Sequence, residues 1–206
     1  MQPLILTSSL AGKVAALFDE METAYGAVAE GLDFSCDGCP DNCCDSYFLH
    51  YTYVEWAYLR QGFASLPEEQ RETVLARAAE YIRQSEAALG RGERPLVMCP
   101  LNEKGRCILY GHRPMICRLH GVPATITRPD GRTTSFPGCC RCQEIVSGRP
   151  AVSPMERNVL FRGMVELETE LLRQCTPRPR VKTTIARMLL QEPPPAVTVP
   201  RVGISD

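Results

Sequence analysis

Four of the chain's eleven cysteines fall within nine residues, "CDGCPDNCC" at positions 36–44. This stretch constrains the fold more than any other. A run of Gly, Pro, Asn and Asp does not propagate a helix or a strand, so it is a loop folded tightly around its thiols. Disulfides are a poor account of those thiols. The total is odd, and two pairs, Cys43–Cys44 and Cys139–Cys140, are adjacent in sequence, an awkward geometry for several ordinary bridges. The N-terminal segment "MQPLILTSSLAGKVAALFDEMETAYG" has no basic leader before its apolar residues and runs directly into an acidic amphipathic pattern. That pattern predicts a mature protein without a secretory signal, hence a cytoplasmic one in which thiols stay reduced. Reduced cysteines crowded in loops point to metal binding.

Composition narrows the partners. The chain of 206 residues suits one domain with a real core, and its 44% apolar and 23% charged content is that of a globular protein. A net charge of −1 and a pI near 6.3 argue against electrostatic capture of nucleic acid. No apolar run approaches the roughly 18–20 residues that cross a bilayer. Neither nucleic acid nor membrane is expected as a partner; an unidentified protein is.

Apolar residues Leu10, Val14, Leu17, Phe18, Met21 and Tyr25 recur at helical spacing and predict a helix over 10–30, ending near Gly31. "YTYVEWAYLRQGF" reads as a short helix with an aromatic face of Tyr53, Trp56 and Tyr58. A third helix follows, with Ser65, Pro67 and Glu68 arranged as a capping box and a stop at Gly90. Between 96 and 142 periodicity weakens, and "VPATITRPDGRTTSF" alternates about Asp130–Gly131 as a β-hairpin would. "SPMERNVLFRGMVELETELLRQC" shows a Ser–Pro–x–Glu start at Ser153 and an apolar stripe of Val159, Leu160, Met164, Val165, Leu167, Leu171 and Leu172. Pro177 and Pro179 break it, and "VKTTIARMLL" is a short further helix. The expected fold is mainly α with a small β-hairpin, helices packed around an irregular, cysteine-rich metal-binding centre. It is a single domain over 1–192, with the centre at 33–142, C-terminal helices at 153–192 and a loose tail over 193–206.

Ten cysteines form three groups: Cys36, Cys39, Cys43 and Cys44; then Cys99, Cys107 and Cys117 inside "CPLNEKGRCILYGHRPMICRLHG"; then Cys139, Cys140 and Cys142 in "CCRC". Thiolates select zinc or the iron of iron–sulfur clusters. The C-x2-C spacing at 36–39 lets two sulfurs converge on one centre, and thiols of another segment can complete four-coordination. "CDGCPDNCC" followed by "CPLNEKGRCILYGHRPMICR" resembles the YkgJ-family cysteine cluster proteins, whose CxxCxxCC domain is named for zinc or iron chelation. Their second motif, C-x-IY-x-x-RP-x-x-CR, is matched by Cys107, Tyr110, Arg113, Pro114, Cys117 and Arg118, with Leu109 in place of Ile. The resemblance spans roughly residues 33–142. It departs between Cys39 and Cys43, where three residues replace two, and this leaves the choice between Cys43 and Cys44 open. A relative of this domain occurs in flagellin lysine methylases, for which an iron–sulfur cluster has been proposed.

The resemblance therefore implies a metal held by Cys36, Cys39, Cys43, Cys44, Cys99, Cys107 and Cys117, with a 4Fe–4S cluster expected and zinc as the alternative. Arg113 and Arg118, flanking Cys117, supply cationic groups beside a negatively charged cluster. Zinc would find two C-x2-C pairs, Cys36/Cys39 and Cys139/Cys142, set farther apart than the roughly 15–20 residues of a compact zinc ribbon. Three functions stay open: electron transfer, redox sensing or support of a partner enzyme through an iron–sulfur cluster; a structural zinc module for protein interaction; and a metal-dependent modifying enzyme with an open iron position near Arg113 and His120. Each residue also has a plainer account. Cys175, outside the groups, is expected as a core thiol. His112 and His120 are expected to cap turns or contact backbone, Tyr110 to pack over the site, and Arg113 to pair with Asp45 or Glu103. Trp56 reads as core, and the basic run "RPRVKTTIAR" as solvated surface. No phosphate loop, G-x-S-x-G elbow or H-E-x-x-H is present. C-x2-C alone could also suggest a redox pair, but the βαβ context of a thioredoxin-like fold is not expected here.

Overall fold

The computed structural model describes residues 4–36, 39, 43–149, 152–173 and 178–194. The protein is mainly α-helical. Helix α1 (Ser8–Gly31) starts at Thr7, whose side chain accepts a hydrogen bond from the Leu10 amide at 3.2 Å. Its stripe of Leu10, Val14, Leu17, Phe18 and Met21 is buried as the spacing predicts. Helices α2 (Tyr53–Ala64) and α3 (Glu68–Gly90) follow the expected bounds closely. Tyr53, Trp56 and Tyr58 are all core residues.

The C-terminal helices close this core. Helix α6 (Asn158–Arg173) lies along α1, with Gly163 packed so tightly that a Cβ there would stand 2.9 Å from Leu17 Cδ1. Helix α7 (Ile185–Leu190) packs on α2 and α3, and the Trp56 indole donates to the Met188 carbonyl at 2.8 Å. Between α3 and α6 the chain makes two small sheets and two short helices. Strands β1 (Asn102–Glu103) and β2 (Arg106–Cys107) form a two-stranded hairpin. Strands β3 (Ala124–Thr127) and β4 (Thr133–Phe136) form the expected hairpin about Gly131, and β5 (Met155–Glu156) adds to β3 in parallel. Helix α4 (Met115–Leu119) packs on α1, and α5 (Cys140–Ser147) follows the larger hairpin.

Two predicted helix starts are corrected. Ser65 does not cap α3; it ends α2, its hydroxyl donating to the Gly62 carbonyl at 2.7 Å, while Pro67 opens α3 without a side-chain cap. The helix expected from Ser153 begins at Asn158. Strand pairing prevails there, because the Met155 amide donates to Pro123 O at 2.8 Å and the Arg157 amide to Thr125 O at 2.9 Å. These bonds satisfy the free edge of β3, which a local capping box cannot do. Of the expected stripe, Leu160, Met164, Leu167 and Leu171 are buried, whereas Val159 and Val165 remain 64% and 62% exposed. Cys175, Pro177 and the tail beyond 194 lie outside the described residues.

Candidate metal centre

The first and second sequence groups meet through backbone. Cys43–Asp45 forms a single 3-10 turn, and the Cys99 amide donates to the Cys44 carbonyl at 2.9 Å, laying the two segments side by side. Lys104 and Gly105, both with positive φ, turn the small hairpin so that Cys107 pairs with Asn102. Cys117 rides on α4, whose first amide, that of Met115, donates to the buried Glu55 carboxylate at 2.7 Å. A carboxylate from α2 thus fixes the helix that carries this thiol.

Electrostatics sorts the thiols into two neighbourhoods that meet at Cys43, which Cys44, Cys36 and Cys117 all push up. In the first, Cys117 is pushed far up by burial and then by the thiols of Cys99, Cys107 and Cys44. Cys99 is pushed up to about 12 by burial, with Cys107 and Cys44 adding to it. Cys107 rises for the same reasons, opposed by Arg113 and Arg118. Cys44 is the exception. A hydrogen bond from the Cys43 thiol, helped by the Asn102 amide and the Arg113 guanidinium, lowers it to about 6. Cys43 correspondingly holds its proton. The two members of the adjacent pair therefore differ: Cys44 is the more readily ionised thiol and Cys43 its hydrogen-bond donor.

Arg113 and Arg118 are braced by a residue the sequence did not single out. Glu22 of α1 receives Tyr110 Oη at 2.8 Å, Arg113 at 3.1 Å and Arg118 at 3.5 Å. Glu22 takes the place of Asp45 or Glu103 as the partner of Arg113. Arg118 is buried, lies over the Phe18 ring, and donates to the carbonyls of Tyr110, Gly111 and Arg113. It holds the turn of the RPxxCR motif in shape. Tyr110 is half exposed, and the Arg113 guanidinium stands over its ring, 3.7 Å from the centroid.

The second neighbourhood joins Cys36 to the third group. Cys142 rises through burial and through Cys139 and Cys36, and Tyr25 rises through burial and then Cys36, Cys139 and Cys43. The Tyr25 hydroxyl stands 3.7 Å from Cys36 Sγ. Cys39 is half buried, its amide donating to the Cys36 carbonyl at 3.2 Å; residues 37, 38 and 40–42 around it lie outside the described residues.

The histidines have structural surroundings. His112 stacks on Tyr58 with centroids 4.5 Å apart and fills the space over Gly62. His120 meets Phe48 edge-on at 5.1 Å. In the basic run, Arg187 pairs with Glu86 at 2.6 Å.

The donor set suits a thiophilic cation. Thiols that burial and one another keep from ionising lose their protons when a cation is shared among them, and two guanidinium groups stand beside them. Among the described residues, no three Cys, His, Asp or Glu side chains are drawn close enough to hold one metal ion. No described helix is long and apolar enough to cross a membrane. Compared with family models, curated proteins and solved structures, the chain matches none.

Proposed function

We propose that this chain is a cysteine-cluster metalloprotein of the YkgJ kind, holding an iron–sulfur cluster through Cys44, Cys99, Cys107 and Cys117 and serving a protein partner in electron transfer or redox sensing. The observation that carries this reading is the 2.9 Å backbone bond from Cys99 to Cys44, which brings Cys44 within electrostatic reach of Cys99, Cys107 and Cys117, thiols of a segment more than fifty residues downstream. The match of residues 107–118 to the family's second motif supports it independently. Bound there, a 4Fe–4S cluster would supply one-electron chemistry.

The protein's own residues set the surroundings. Arg113 and Arg118 place positive charge beside thiolates, which favours their ionised form and would raise the reduction potential of an anionic cluster. Glu22 anchors both guanidinium groups. Asn102 directs an amide towards Cys44.

Anaerobic purification with metal and sulfide analysis tests the proposal. The expected protein is brown, absorbs broadly in the visible, and contains iron and acid-labile sulfide. Cys44→Ser and Cys117→Ser should each lose at least nine-tenths of the iron, whereas Cys175→Ser should keep it. Colourless protein carrying stoichiometric zinc would replace iron by zinc in the same thiol set. Full loading of Cys44→Ser would overturn the ligand assignment.

A further inference from the structure

The second thiol neighbourhood has features that metal binding at the first does not use. Cys139 is the N-cap of α5 and Cys142 lies in its first turn. An N-cap and the third helical residue are the two positions whose side chains fold back towards each other in a capping box, which places this pair to close a disulfide spanning roughly 3.5–4.5 Å between Cβ atoms. The two thiols are unequal in access: Cys139 is half buried and Cys142 is 0% exposed. The outer sulfur, that of Cys139, is therefore the one a dissolved disulfide reaches first.

The surroundings of this pair are closely packed. Gly121 (φ +128°) and Gly138 (φ +88°) both adopt backbone that favours glycine. A Cβ on Gly121 would stand 2.4 Å from the Tyr25 hydroxyl, and one on Gly138 2.6 Å from the Gly121 carbonyl. The Cys139 amide donates to that same carbonyl at 2.9 Å. Arg149, two residues past the end of α5, donates to the carbonyls of Gly31 and Leu32 and ties this segment to the end of α1. This packing sets the first turn of α5 beside Tyr25 and Cys36.

We propose that Cys139 and Cys142 form a redox-active dithiol, distinct from the metal thiols, that exchanges with small-molecule disulfides. The Cys139 thiolate attacks one sulfur of a disulfide such as oxidised glutathione. A bond forms between Cys139 and that sulfur while the other leaves with the electron pair and takes up a proton. Cys142 then gives its proton to solvent and attacks the Cys139 sulfur, closing the internal disulfide and releasing the second thiolate, which is protonated. The protein loses two electrons and two protons, and the small disulfide gains them.

Incubation of the anaerobically purified, metal-loaded protein with oxidised glutathione, followed by alkylation and peptide mass mapping, tests this. Wild type should give a Cys139–Cys142 disulfide in most molecules, reversed by dithiothreitol. Cys142→Ala should trap glutathione on Cys139, and Cys139→Ala should trap at least tenfold less on Cys142. Wild-type mapping needs no variant to fold. Fully alkylated Cys139 and Cys142 after oxidation, or glutathione captured on Cys36 in place of Cys139, would overturn the proposal. Metal content read on the same samples separates this outcome from failure of the metal reading, because Cys139→Ala and Cys142→Ala should retain their iron.

Discussion

Gly62 lies within α2, where alanine would ordinarily favour the helix by about 1 kcal/mol. Here a Cβ would stand 2.3 Å from His112 Cγ, and the ring cannot retreat because it stacks on Tyr58. Overpacking of that kind costs about 1–3 kcal/mol, so sterics should win: Gly62→Ala is expected to lower the urea midpoint. The double variant Gly62→Ala with His112→Ala should be more stable than His112→Ala alone, since the propensity gain then stands without the clash. Equal midpoints for those two chains would refute the account. At this scale the sequence was legible in part. Cysteine spacing announced a thiol site, but nothing local told Cys43 from Cys44. What separates them is the Cys43 donor, Asn102 and Arg113, brought together only by the fold. Glu22 was equally hidden, because its partners lie nearly ninety residues away and carry no periodic signal.

At the scale of elements, the helices with long apolar stripes were readable and the short elements were not. Helices α4 and α5 are held by tertiary bonds, such as Met115 N to Glu55 and Cys139 N to Gly121 O, rather than by their own periodicity. The segment before α2 is joined to the segment before α7 in the same way, by paired amides between His50 and Thr183 at 2.8 and 3.0 Å. His50 is buried, and burial lowers its imidazole to about 4. Since the folded value lies below the ordinary one near 6.5, the neutral ring belongs to the folded state. Its contribution is fully present above about pH 6.5 and is lost as the pH falls towards 4, an effect of roughly 3 kcal/mol. Burial raises Glu55 and Glu168, whose contributions run the opposite way, growing as the pH falls. Comparison with His50→Gln isolates the histidine: stability measured by urea at pH 7 and pH 4.5 should fall less in the variant. An equal fall in both would show that His50 is not the group responsible.

For the molecule as a whole, the thiol segments contain little regular structure, and a shared cation would contribute folding energy to them. Chelation is expected to lower the thermal midpoint by about 2–4 °C for each kcal/mol of binding lost. Amide exchange should speed up first over residues 96–121, while α1 and α3 stay protected; uniform acceleration would contradict a local role for the metal. The mainly α class was legible because it rests on stripes such as Leu10 to Met21, whereas the regrouping of three sequence clusters into two thiol neighbourhoods depends on long-range closure. That closure comes late in the chain. Glu168 accepts the first amides of α2, Met188 accepts from Trp56, and α6 covers α1, so every described cysteine leaves the ribosome before the helices that complete its surroundings. At about 5–20 residues per second, the stretch from Cys142 to Leu190 takes roughly 2–10 s to make. During those seconds the thiols stand without their finished cover, and the order of synthesis would make any metal loading compete with oxidation on every newly made chain.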